Sequence, residues 1–240
     1  MKNSLLFFAV VVLFSACTLA NEKEAAEATA KDLGVTEFTV ADTTIFENKA
    51  EHPTLVLYFK EPKMESPELD PVYLSSKTAY NYVNKLGLDK ATAYHNIIVK
   101  LGIKGYVYSN SYSIKTLNNV DSYYAKAKDF IINVTNTDSA AIMAALKPGV
   151  INHDDMVQVY IMDDDQKMNN GNLTDIKMVG FEETHTEITG RDVMAVRAVV
   201  YRQNKASEVY NFTFDRADQK IVGIGWDILK QANEANTPEE

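Results

Sequence analysis

The stretch 191-RDVMAVRAVVYRQ-203, followed three residues later by 207-SEVYNFTFDRADQKIVGIGW-226, decides the fold. In its first half Met194, Val196, Ala198 and Val200 share one side of an extended chain, while Arg197, Tyr201 and Gln203 take the other. In its second half Tyr210, Phe212 and Phe214 lie opposite Asn211 and Thr213. Alternation at a period of two is the pattern of half-buried strands. Upstream, 175-DIKMVGFEETHTEIT-189 carries the same β-branched and aromatic content, and 220-KIVGIGWDI-228 closes the series. The connections "GR", "NKA" and "RADQ" are short, so the four strands are expected to form an antiparallel meander with one side under helices.

Helical periodicity precedes that meander. Tyr123, Ala127, Phe130 and Ile131 recur at helical spacing in 122-SYYAKAKDFIINV-134, with 118-NNVD-121 as the expected cap. Asn136 or Thr137 is placed to cap a short helix over 138-DSAAIMAALK-147, stopped by Pro148-Gly149. Asn152 then caps 153-HDDMVQVYIMDDDQKM-168, where first-turn acids suit the helix dipole. "MVQVYIM" alone could be a strand by alternation; cap and length favour the helix.

Three helices followed by four strands ending in Trp226 resemble the NTF2-like, cystatin-like α+β superfamily, the likeness resting on Tyr123 to Met168 and the two strand segments quoted first. The resemblance is topological and covers residues 119–230. It implies a curved sheet whose concave face can hold a pocket, used by relatives as a binding module, a dimer interface or an isomerase or dehydratase site.

The first half reads β-β-α-β-β. 36-TEFTVADTTIFE-47 and 53-PTLVLYFKE-61 are strands about the polar turn 48-NKAEHP-53. Pro62, Pro67 and Pro71 punctuate a loop, and Ser75 or Ser76 is expected to cap a helix that ends at Leu86 before Gly87. 93-AYHNIIVKLGI-103 and 105-GYVYSNSYSIKTL-117 return to strands joined by Lys104-Gly105. Asp89 could instead cap a helix through "KATAYHNIIVKLG"; Ile97-Ile98-Val99 favours the strand. The whole is expected to be an α+β protein: a small ββαββ domain over 33–118 and, as the resemblance implies, an NTF2-like domain over 119–230.

At the amino terminus, Met1 and Lys2 precede an apolar run from Leu5 to Phe14, too short to span a bilayer and suited to a signal peptide over 1–16. Phe14-Ser15-Ala16-Cys17 resembles the lipobox of bacterial lipoproteins. That resemblance implies diacylation of Cys17, cleavage before it and acylation of the new amino terminus. Cys17 is the single cysteine of the 240-residue chain, which strengthens the reading. Ordinary cleavage after Ala20, or a cytosolic chain with a chance cysteine, are the alternatives. Residues 17–32 are expected to be a flexible tether and 231–240 a frayed tail. The expected location is the bacterial cell envelope, with an outer-membrane anchor facing the periplasm or the surface.

A net charge of −9 and a pI near 5.0 argue against nucleic acid, which needs clustered cations. With Cys17 acylated, no disulfide is available. Glu183, His185 and Glu187 alternate and would project from one strand face, a weak candidate metal site; solvated edge charges explain them as well. His52 and His153 fall in turns or caps. 163-DDDQKMNNGN-172 lacks the calcium-loop spacing, and no nucleophile elbow, phosphate loop or paired-cysteine motif occurs. Arg197, Tyr201 and Asn211 are the polar strand residues an acid–base pocket could draw on. The thirteen tyrosines, densest in 106-YVYSNSY-112, either pack beneath the first helix or stack on a sugar or peptide. The expectation is a non-enzymatic, lipid-anchored interaction protein with no cofactor, whose partners are the membrane and an envelope protein or glycan. The rivals are an NTF2-like small-molecule pocket of isomerase or dehydratase type and a plain spacer.

Overall fold

A computed structural model describes residues 19–47, 50–63, 70–149, 153–186, 190–203 and 207–228. The expected signal peptide over 1–16, Cys17, Asn152, Glu187 and the tail 231–240 lie outside the described residues. Those residues form six helices and two four-stranded sheets, a mixed α+β protein. They divide into two compact units, residues 1–120 and 121–240. None of the described helices is long and apolar enough to cross a membrane.

In the first unit the sheet order is β1-β2-β3-β4, with β1 Phe38–Glu47, β2 Ala50–Lys60, β3 Asn96–Ile103 and β4 Tyr106–Ser113. The hairpins β1–β2 and β3–β4 are antiparallel, whereas β2 and β3 pair in parallel, Leu55 against Ile97 and Phe59 against Leu101. A parallel pair requires a crossover, and helix α2 (Pro71–Leu86) supplies it. Leu55, Leu57, Phe59, Ile97, Val99 and Leu101 form the core, each without exposed surface, and α2 presents Ala79, Tyr82, Val83 and Leu86.

Several boundaries differ from expectation. Asp70, not Ser75 or Ser76, caps α2: its carboxylate accepts from the Val72 N–H at 2.9 Å. Pro71 sits at the first helical position, where its missing N–H costs nothing, so this proline starts a helix and does not prolong a loop. Ser75 and Ser76 are buried inside the helix, and their hydroxyls donate back to the carbonyls of Val72 and Tyr73. Asp89 belongs to a single turn, α3 (Leu88–Ala91), and the chain is extended again from Asn96.

The largest correction concerns residues 17–32. From Ala20 to Asp32 they are not a flexible tether but helix α1. Glu22, Ala25, Ala26, Thr29 and Ala30 are buried, at offsets of three and four that line one helix face. Small side chains let the two backbones approach: the Tyr82 hydroxyl donates to the Glu22 carbonyl at 3.3 Å, and Lys85 pairs with Asp32 at 2.8 Å.

Helix α4 (Ile114–Thr135) begins directly after β4, so "NNVD" lies within it; the Ser113 hydroxyl accepts from the Thr116 N–H at its start. In the second unit, Asp138 caps α5 (Ser139–Ala145) through the Ala141 N–H at 3.0 Å, displacing Asn136 and Thr137 from that role. Helix α6 spans His153–Asn170, and "MVQVYIM" is helical. The meander follows in sequential antiparallel order: β5 Leu173–Thr186, β6 Arg191–Arg202, β7 Ser207–Asp215 and β8 Ile221–Ile228.

Candidate functional site

The face of the second sheet that could line a chamber carries Phe181, Met194, Val196, Ala198 and Val200, with Tyr210, Phe212 and Phe214 beside them on β7, all buried. Register places Val196 against Phe212 and Ala198 against Tyr210. Rings fill the space above. Tyr123 and Phe130 of α4 meet Phe214 and Phe212 edge-on at 5.4 and 5.5 Å, and Tyr210 stacks between Phe212 and Trp226 at 5.8 and 5.7 Å. Edge-to-face and offset contacts of this kind are the preferred aromatic packing. Among the described residues this layer is filled.

One end of the layer is ionic. The alternation that buries Met194 to Val200 continues to Arg202, and the side of β7 that holds Tyr210 also holds Glu208. Arg202 donates through Nε to Glu208 Oε1 and through Nη2 to Asp163 Oδ1 of α6, both at 2.5 Å. The exposures of the three side chains are 1%, 0% and 4%. Gly171 accepts from Arg202 Nη1 at 3.4 Å, Thr135 donates to Asp163, and the Tyr210 hydroxyl donates to Glu208 Oε2 at 3.5 Å. Burial pushes the Glu208 carboxyl above its ordinary range, against the lowering by Arg202. Burial likewise raises the Tyr210 phenol, with the Glu208 charge adding to it. Two carboxylates hold one guanidinium, so Arg202 is committed and offers no free fork to an anionic ligand. The cluster ties α6 to the sheet and is closed to water.

At the other end of β7, Asp215 pairs with Lys147 and lies 3.7 Å from Arg191, and it accepts from the Ala217 N–H at 2.9 Å. The Lys147 hydrogen bond, then the Ala217 N–H, hold its carboxyl below the usual range. Near this end a hollow of about 300 Å³ is bordered by Lys126, Asp129, Asn133, Ala141, Gln219 and Lys220. Phe130, Phe214 and Ile221 beneath it are fully covered, so its floor shows no aromatic surface.

The residues singled out from sequence are distributed, not gathered. Glu183 pairs with Arg216 at 2.8 Å, and His185 Nδ1 meets Asp192 Oδ1 at 2.9 Å across the β5–β6 pair. Glu187 lies outside the described residues, and among those described no three His, Cys, Asp or Glu side chains group as metal ligands. Arg197 donates to Asn211 Oδ1 at 2.8 Å, and Lys177 lies 4.8 Å above the Tyr201 ring. The polar strand residues thus pair with neighbours. Of the dense tyrosine segment, Tyr112 is buried against Ser75, whereas Tyr106, Val107 and Tyr108 are 72%, 60% and 40% exposed. Two groupings were not anticipated: the Asp163–Arg202–Glu208 cluster, and His52 against His95 with ring centres 4.2 Å apart.

Comparison with protein-family models, with curated proteins and with solved structures returns no match.

Proposed function

We propose that this chain is a lipid-anchored protein of a bacterial envelope that acts by binding another envelope component and not by catalysis. The observation that carries the reading is the placement of the only cysteine, Cys17, at the junction between the apolar run Leu5–Phe14 and the first residues of α1. Acyl chains contribute about 0.8 kcal/mol per buried methylene, so several of them hold a protein at a bilayer without any spanning helix. The docking of α1 on α2 is compatible with this: an anchor at Cys17 would leave two residues, Thr18 and Leu19, between the lipidated cysteine and the start of α1. We read the second unit as NTF2-like, supported by three successive helices and a sequential four-strand meander, and the first as a ββαββ sheet domain carrying α1 in front.

A binding role draws support from the interior. The inner face of the second sheet is packed with aromatic rings, and its buried ionisable side chains are held by one another. The exposed run Tyr106-Val107-Tyr108 offers contact surface of the kind partners use. In cells fed an alkyne-tagged palmitate, the chain is expected to take up label and to sediment with membranes, and Cys17→Ser to lose both. Label in the Cys17→Ser protein, or none in the parent, would overturn the anchor. Crosslinking of intact cells should then recover a reproducible partner, and its absence across growth conditions would defeat the binding role.

A further inference from the structure

His52 and His95 stand 43 positions apart in sequence, yet the parallel pairing of β2 with β3 brings them together at one end of the first sheet. Their ring centres are 4.2 Å apart and the planes are inclined at 41°. Both backbones are fixed there. The His95 N–H donates to the Pro53 carbonyl at 2.7 Å, the His95 carbonyl accepts from the Ile114 N–H at 3.0 Å, and the residue after Pro53 is fully buried Thr54. His95 is exposed and His52 half-buried, and among the described residues no ring nitrogen of either donates or accepts a hydrogen bond. Two imidazoles, held in contact by a rigid sheet end and open to solvent, have unengaged lone pairs.

We propose that His52 and His95 form a chelating pair for a divalent transition-metal cation. A metal held about 2.05 Å from a ring nitrogen lies about 3.2 Å from that ring's centre. Two centres 4.2 Å apart then subtend about 80° at the ion, given those bond lengths. That angle is close to the cis angle of square-planar and octahedral sites and well short of a tetrahedral one. The site therefore favours Cu2+ and Ni2+ over Zn2+, in the same direction as the intrinsic affinity order, with water completing the shell. Neutral imidazole is the binding form, so protons compete with the metal for the ring nitrogens and affinity falls in acid. The pair stands independently of the lipid anchor.

The test is titration of the full chain in detergent micelles with Cu2+, Ni2+ and Zn2+ separately, with electron paramagnetic resonance of the Cu2+ form. The expected result is one saturable Cu2+ per chain with coupling to two imidazole nitrogens, Ni2+ weaker, and Zn2+ weakest. His52→Asn and His95→Asn should each weaken Cu2+ binding at least tenfold and leave single-nitrogen coupling, while His185→Asn and His153→Asn leave the affinity unchanged. Circular dichroism of each variant separates loss of ligand from loss of fold, and His52→Phe, which keeps a ring against His95, supplies a second non-ligating variant. Binding that survives both His52 and His95 substitutions, binding abolished by His185→Asn, or no saturable binding below millimolar Cu2+ would overturn the proposal.

Discussion

Replacing Arg202 by Met removes the cation from a site where Glu208 and Asp163 have 0% and 4% of their side chains exposed. Met matches much of the volume, so the loss is electrostatic. Two carboxylates remain without a counter-ion, and breaking a buried ion pair from one side costs about 3–5 kcal/mol. That is a large part of the 5–15 kcal/mol or so that stabilises an ordinary domain, so Arg202→Met should fold but only just at pH 7.5. The cost should depend on pH. Burial already raises the Glu208 carboxyl in the folded state, and Arg202 opposes that rise. Between the unfolded and folded values the native state holds a proton the unfolded chain has released. Stability therefore grows as pH falls through the folded value and levels off below the unfolded one. Without Arg202 the folded value climbs and the window widens upward. Each pH unit inside it returns about 1.4 kcal/mol per proton taken up, so the loss should be smaller at pH 5.5 than at pH 7.5.

Trp226 is the only tryptophan in the chain and stacks on Tyr210, whose hydroxyl donates to Glu208. Its fluorescence in a urea titration therefore reports the second unit alone, which matters because a two-unit chain need not unfold in one step. A loss below about 1 kcal/mol at pH 7.5, or an equal loss at both pH values, would refute the assignment of a buried, mutually dependent cluster. The combined change Asp163→Leu, Arg202→Met, Glu208→Leu removes every charge and should be neutral or stabilising, by up to about 4 kcal/mol.

Two further outcomes follow from the packing. Ala26 has no exposed surface on α1, so Ala26→Leu overfills the contact with α2, should cost about 1–3 kcal/mol, and should speed amide hydrogen exchange in 20–32 before the rest of the unit; unchanged protection would mean that α1 is not packed there. Asp215 behaves oppositely to Glu208: its carboxyl is depressed by Lys147 and the Ala217 N–H. Its stabilisation is complete above the ordinary carboxylate value near pH 4 and is lost as pH falls through the lower, folded value. Asp215→Asn should accordingly flatten the acid limb of a melting-temperature profile below about pH 4, and an unaltered limb would count against the pairing.

Strands β6 and β7 were legible because alternation is a local signal and both of their sides have distinct chemistry. Helix α1 was not. Its buried face consists of Glu22, a charged residue, and Ala25, Ala26, Thr29 and Ala30, residues too small to register as a hydrophobic stripe although their spacing is helical. Closeness of approach, not side-chain area, holds such a contact, and composition does not reveal it. Pro71 misled for another reason: proline ends structure in an interior but starts it at a first turn, and only the preceding Asp70 distinguishes the cases. Arg202 and Glu208 were legible in principle. Each extends the apolar side of its strand by one alternation, and opposite charges at facing ends of two such sides mark a buried pair. Contact with Asp163 needs the fold, as does that of His52 with His95, because a parallel strand pairing joins residues that no local pattern relates.

The two sheets differ in what they leave unused. In the second, polar strand side chains that sequence offered as reactive groups have partners among the described residues: Arg197 has Asn211 across the β6–β7 register, Glu183 has Arg216 and His185 has Asp192, while Arg202, which sequence did not single out, has Glu208 and Asp163. A side chain already held by its neighbour must surrender that contact before it can hold a ligand, and buried ion pairs exact several kcal/mol for doing so. In the first sheet His52 and His95 keep their ring nitrogens open among the described residues, and Tyr106, Val107 and Tyr108 stand exposed on strand β4, at the sheet edge. Surface that is formed, rigid and chemically uncommitted binds at the lowest cost. Variants of His52, His95, Tyr106 and Tyr108 should therefore alter binding with little change in stability, whereas variants of the second sheet's pairs should alter stability first.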